Sequence, residues 1–85
     1  MDTKQSFDQA VADSKMLATK PGNAILLQLY ALYKQSTEGD INIDGPANPL
    51  DFVAKAKFNA WEAVKGKPKE NAMQEYIDLI SKLKG

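Results

Sequence analysis

The segment from Ile25 to Lys34 carries more apolar surface than one core can take. At about 100° per residue, Ile25, Leu29 and Leu32 share one side of a helix. Leu26, Tyr33, Tyr30, Leu27 and finally Lys34 widen that side until it spans about 220°. A helix on a small domain ordinarily buries a stripe of little more than about 100°. Packing therefore accounts for roughly half of this helix. The surplus sector holds two tyrosines and ends in a lysine, which suits a ligand that is at once aromatic, anionic and greasy.

Composition narrows the alternatives. Eighty-five residues suffice for one domain with a modest core. With no Cys, neither a disulfide framework nor a thiolate metal cluster can form. Without His, the commonest general base and metal ligand are missing too. Eleven acidic residues balance eleven basic ones, all lysine. A neutral total argues against nonspecific nucleic-acid binding, and the lack of Arg against bidentate reading of guanine. A small anion held by a few placed lysines remains allowed, because it needs local rather than net charge. Apolar runs fall far short of the ~18 residues of a membrane span, so no stable membrane insertion is expected. The start Met1-Asp-Thr-Lys-Gln has no apolar signal core, and a cytoplasmic location is the expectation.

Four helical segments and no strand-like alternation give an all-α class. The pattern predicts helices over about 3–17, 22–36, 49–64 and 68–83 within a single domain, 1–85. Phe7, Ala10, Val11, Ser14 and Leu17 fall at helical spacing in the first. Pro21-Gly22-Asn23 breaks the chain before the second. The third should start with Asn48 as N-cap, Pro49 in its first position and Asp51 three residues after the cap, and stop at Gly66. Pro68 opens the fourth, where Lys82 and Lys84 suit a helix C-terminus. Between the second and third lies Thr37 to Pro49, rich in turn formers and longer than usual between bundle neighbours. That length frees the two helices from being antiparallel partners and predicts a four-helix bundle with one long overhand loop.

In the third helix, Phe52, Val53, Ala56, Ala60 and Val64 fill one side, extended by Trp61. Lys57 projects between Val64 and Trp61, either as a lysine snorkelling at a core edge or as a point charge for phosphate framed by apolar walls. Lys55 falls on the solvated side. Tyr30, Tyr33 and Lys34 crowd one edge of the second helix. Tyrosines there either pack with wet hydroxyls or offer a face to a ligand. Tyr76 sits mid-face in the fourth helix and reads first as core. Lys15 flanks the first helix's stripe and reads first as a surface charge. The carboxylate pairs Asp8/Asp13 and Glu70/Glu75 read as exposed faces, and there is no Gly-rich phosphate loop after a strand. No enzyme activity is expected.

These residues together resemble the acyl-CoA-binding protein family. The likeness runs from Phe7-Asp-Gln-Ala10 through Thr19-Lys-Pro21 and Leu29 to Asn42, then Asp51-Phe52, Lys55 to Trp61, Lys65-Gly66 and Ala72 to Ile77. Most specific is Leu-Tyr-x-x-Tyr-Lys-Gln, followed by Gly-Asp and then Lys-Ala-Lys-aromatic-x-Ala-Trp. The resemblance implies an up-down-down-up bundle that binds and buffers medium- to long-chain acyl-CoA esters without a cofactor; a monomer is expected, since no second apolar face remains unassigned once the ligand groove is allowed. It implies that Tyr33 stacks on adenine and Tyr76 lines the ribose side. Tyr30, Lys34 and Lys57 then hold the 3′-phosphate, with Lys15 near the phosphates. The acyl chain lies between the second and third helices, with Leu26 and Leu27 as groove candidates. Three features depart from the family: Phe58 replaces a usual tryptophan, the loop Gly45-Pro-Ala-Asn-Pro49 is one residue longer than in common animal members, and Ser14 and Met16 differ. Two rival readings are a helical protein-interaction module, with the surplus arc as a groove for a partner helix, and an enzyme such as a thioesterase working through a carboxylate-activated water.

Overall fold

The computed structural model describes residues 2–45 and 47–85. Met1 and Pro46, and with them parts of the N-terminal and extended-loop readings, lie outside the described residues. Four helices run α1 Thr3–Ser14, α2 Asn23–Thr37, α3 Phe52–Ala63 and α4 Lys69–Lys84, and no strand occurs among the described residues.

Their directions follow from side-chain contacts at the helix ends. Lys84 at the end of α4 donates to Asp13 near the end of α1 at 3.0 Å, so these two run parallel. Gln35, late in α2, donates to the Lys67 carbonyl just ahead of α4 at 2.8 Å, so these are antiparallel. Trp61, late in α3, donates from Nε1 to the Gly39 carbonyl just beyond α2 at 3.0 Å, which makes α2 and α3 parallel. The order is up-down-down-up, as the long loop and the family likeness implied. Neighbours pack as α1 on α4, α4 on α2 and α2 on α3, giving Cα extents of 40 × 28 × 15 Å.

The core draws Phe7 and Ala10 from α1, Leu29 and Leu32 from α2, and Ala72, Tyr76 and Ile80 from α4. Helix α3 adds no residue to that cluster among the described residues; it packs on α2 alone and buries Trp61 there. Among the described residues no helix is long and apolar enough to cross a membrane.

Two helix ends differ from the sequence expectation. Helix α1 stops at Ser14 rather than residue 17, with Lys15 as C-cap. Apolar spacing continued to Leu17, but the chain leaves the helical path and carries Leu17 and Pro21 to the wall of a hollow instead. Helix α3 begins at Phe52, capped by Asp51 rather than Asn48, the Asp51 carboxylate accepting from the Ala54 N–H at 3.0 Å. Asn48 makes a local turn instead: its side chain accepts from the Leu50 N–H at 2.9 Å and its carbonyl from Asp51 at 3.0 Å. Asn and Asp both compete for such roles, and the turn captured the first of the two.

A polar knot ties the lower ends of α2, α3 and α4 together. Buried Gln35 donates to Asp40 at 2.8 Å as well as to Lys67, and Asp40 accepts from the Gly66 N–H at 2.7 Å. Gly39 and Gly66 have φ of +84° and +91°, the left-handed region open to glycine, which turns the backbone into reach at both sides of the knot. These bonds hold the Asp40 carboxyl below the ordinary aspartate range, the Gly66 N–H contributing most and Gln35 next.

Candidate functional site

Tyr30 lies where three surface hollows meet. The first, about 250 Å³, is bounded by Ser14, Leu17 and Pro21 from the end of α1 and the following turn, and by Leu26, Tyr30, Tyr33 and Tyr76. The second, about 370 Å³, is a trough between the first halves of α2 and α3. Asn23, Leu26, Leu27 and Tyr30 form one wall; Phe52, Val53, Ala56 and Lys57 form the other. The third, about 190 Å³, places Tyr30 and Lys57 beside Phe58 and the loop residues Ile43 and Asp44.

Each hollow has its own chemistry. In the first, Phe7 backs the Tyr33 ring in a near-parallel stack at 6.0 Å and 27°, and meets Tyr76 edge-on at 5.1 Å and 67°. Tyr33 is 42 % exposed whereas Tyr76 is 4 % exposed. Tyr33 thus offers a supported aromatic surface to the outside, and Tyr76 is chiefly core with an edge in the wall. The trough is apolar along both walls. At its end nearer the polar knot the Lys57 ammonium stands 5.4 Å from the centre of the Tyr30 ring, within cation–π range.

Phe52 and Val53 show what the apolar side of α3 faces. Placed on the apolar side of α3, they are 72 % and 66 % exposed and form the outer trough wall. Helical spacing puts them on one side of α3, but it cannot tell whether a partner helix covers that side, and α3 meets only α2. Conversely Trp61, read as a flank, is 1 % exposed and is the largest fully buried side chain.

Of the residues singled out from sequence, Leu26, Leu27, Tyr30, Tyr33, Lys57 and Tyr76 converge on these adjoining hollows. Lys34 and Lys15 do not line them. Lys34 follows Tyr33 but is engaged elsewhere, ion-paired with Glu38 and lying 5.2 Å over the Trp61 ring. Its pKa is raised, chiefly by the Glu38 bond. Lys15 is an exposed cap residue next to Ser14 of the first hollow. Ser14, Leu17, Pro21 and Asn23 also line the hollows, which spacing alone does not single out; the helix-breaking Pro21 is the signal that the chain turns here. A further hollow between α1 and α4, of about 250 Å³, is lined by Ser6, Gln9, Ile77 and Ser81 among others and holds no aromatic ring.

The chain is similar to known proteins in sequence and in fold. The family model described as acyl CoA binding protein matches residues 4–80. An acyl-CoA-binding protein of Dictyostelium discoideum is 46 % identical over 78 residues, 92 % of either chain. Enoyl-CoA delta isomerase 2 of Rattus norvegicus is 49 % identical over 81 residues, and there the chain spans only 20 % of the relative's length. The crystal structure of Oryza sativa acyl-CoA-binding protein 2 superposes with a TM-score of 0.90 at 34 % identity, covering 96 % of this chain and 90 % of that one.

Proposed function

The chain belongs to the acyl-CoA-binding protein family, and from that premise we propose that it binds medium- to long-chain acyl-CoA esters non-catalytically, as a carrier and buffer. The observation that carries this reading is the meeting at Tyr30 of an aromatic hollow, an apolar trough and a lysine ammonium. An acyl-CoA joins a purine, a polyanion and an alkyl tail, and each of the three has a matching neighbour around that ring.

In this reading adenine lies on the outer face of Tyr33, with Tyr76 toward the ribose. Stacking of a base on an aromatic ring contributes about 1–3 kcal/mol in single-stranded nucleic-acid systems. Tyr30, Lys57 and Lys34 take the 3′-phosphate, with Lys15 close to the phosphates. The tail runs down the trough between Leu26, Leu27, Phe52 and Val53. From Tyr30 to Asn23 the trough follows seven residues of helix, about 10 Å at 1.5 Å per residue. Ten sheltered methylenes give on the order of 8 kcal/mol gross, before ordering and association costs. The tail therefore supplies most of the affinity, and the head group selects CoA esters. The carrier works as a single copy in the cytoplasm and needs no cofactor. Isomerase activity belongs to the relatives so named, and with neither His nor Cys this chain has a sparse supply of groups for turning an ester over.

Titration calorimetry with palmitoyl-CoA, its 3′-dephospho analogue and free palmitate tests the proposal. Palmitoyl-CoA should bind tightest, and loss of the 3′-phosphate should weaken binding roughly ten- to hundredfold, the range for a charge-assisted contact. Palmitate should bind more weakly still. Equal affinity for all three, or none for any, overturns it.

A further inference from the structure

The ammonium of Lys34 is already occupied. It pairs directly with the Glu38 carboxylate one helical turn further on, above the face of Trp61. Both supports of that arrangement are fixed. The Glu38 N–H donates to the Lys34 carbonyl at 2.8 Å, closing the end of α2, and the next residue, Gly39, accepts from Trp61 Nε1 at 3.0 Å. Beyond it, Asp40 is held by Gln35 and Gly66.

The pair does little for the helix. Glu38 is the C-cap of α2, where the macrodipole disfavours an anion. The order lysine then glutamate is also the weaker of the two possible arrangements at this spacing. A carboxylate stands where helix stability does not call for one, beside the cation that the proposed function assigns to a phosphate.

We propose that Glu38 is a tethered competitor for the anion site: in the free protein its carboxylate holds Lys34, and the ligand's phosphate must displace it. The inference rests on the reading of Lys34 as a phosphate-binding residue. The competitor has two effects. It lowers the affinity for acyl-CoA, and it screens Lys34 from small anions, which must outcompete a carboxylate held at high effective concentration. A phosphate anchored by its own purine and tail has the same intramolecular advantage and can displace it. Glu38 thereby selects phosphates that arrive attached to the rest of the ligand.

The test is calorimetry at low ionic strength on the unmodified protein, Glu38→Gln, Lys34→Ala and the double variant, each with palmitoyl-CoA and 3′-dephospho-palmitoyl-CoA. Glutamine keeps the side-chain shape and removes the charge. Glu38→Gln should tighten palmitoyl-CoA about two- to fivefold, the range corresponding to an exposed ion pair. It should leave the dephospho analogue unchanged, give no gain in the Lys34→Ala background, and keep or raise the melting temperature. Unchanged or weaker binding by Glu38→Gln, while Lys34→Ala still weakens palmitoyl-CoA, overturns the competitor and leaves the role of Lys34 standing. A gain that persists without Lys34 also overturns it, as a general charge effect. A Lys34→Ala variant that binds like the unmodified protein removes the phosphate role of Lys34 itself.

Discussion

Replacing Phe52 by alanine separates a ligand wall from a core. Fully burying a phenylalanine is worth about 1.5–3 kcal/mol. At 72 % exposure, only about a quarter of that is realised in the folded protein. Phe52→Ala should therefore cost about 0.4–0.8 kcal/mol of stability, a melting-temperature drop of roughly 2–6 °C for a domain of this size. The remaining surface becomes available when an acyl chain covers the ring, so palmitoyl-CoA should lose about 1–2 kcal/mol of binding, roughly five- to thirtyfold. A core phenylalanine behaves in the opposite way, costing about 3–5 kcal/mol on truncation, or some 12–40 °C. Differential scanning calorimetry and isothermal titration on the same preparation give both numbers. A melting drop above 10 °C or so with unchanged affinity would refute the assignment of Phe52 to the trough.

Lys57→Ala should lower the melting temperature by only a few degrees, since an exposed cation–π contact contributes about 0.5–1 kcal/mol. Palmitoyl-CoA binding should weaken roughly ten- to hundredfold by calorimetry; a large stability loss with intact affinity would make Lys57 a core-edge residue instead. Asp40, whose folded pKa lies below its ordinary value, adds stability that is complete at neutral pH and lost as pH falls through the folded value. Urea titrations between neutral and strongly acidic pH should accordingly give Asp40→Asn a shallower acid decline than the unmodified protein. Parallel declines would mean that the knot holds Asp40 equally well when it is protonated.

Much of this was legible in the sequence, and the parts that were not share a physical cause. The over-wide arc of α2 singled out Leu26, Leu27, Tyr30 and Tyr33, which line the adjoining hollows, because an excess of apolar surface on one helix is a property of that helix alone. Whether α3 had a second neighbour depended on the whole topology, so spacing put Phe52 and Val53 on an apolar side without showing that this side borders open space. Local competition blurred helix ends: Asn48 and Asp51 are both capable caps, and only the turn at Pro49 decided between them. The engagement of Lys34 was hidden for another reason. Its spacing to Glu38 was visible, but Trp61 reaches it from a different helix and fixes the ammonium in place.

Amide chemical-shift mapping during titration with palmitoyl-CoA tests most directly whether a fatty thioester occupies the face around Tyr30. The largest changes should fall on Leu26 to Lys34 and Phe52 to Phe58, with Leu17 alongside, while Ser6, Gln9, Ile77 and Ser81 on the α1–α4 side stay near their free positions. Changes concentrated on that α1–α4 hollow, with Tyr30 and Lys57 unmoved, would contradict it.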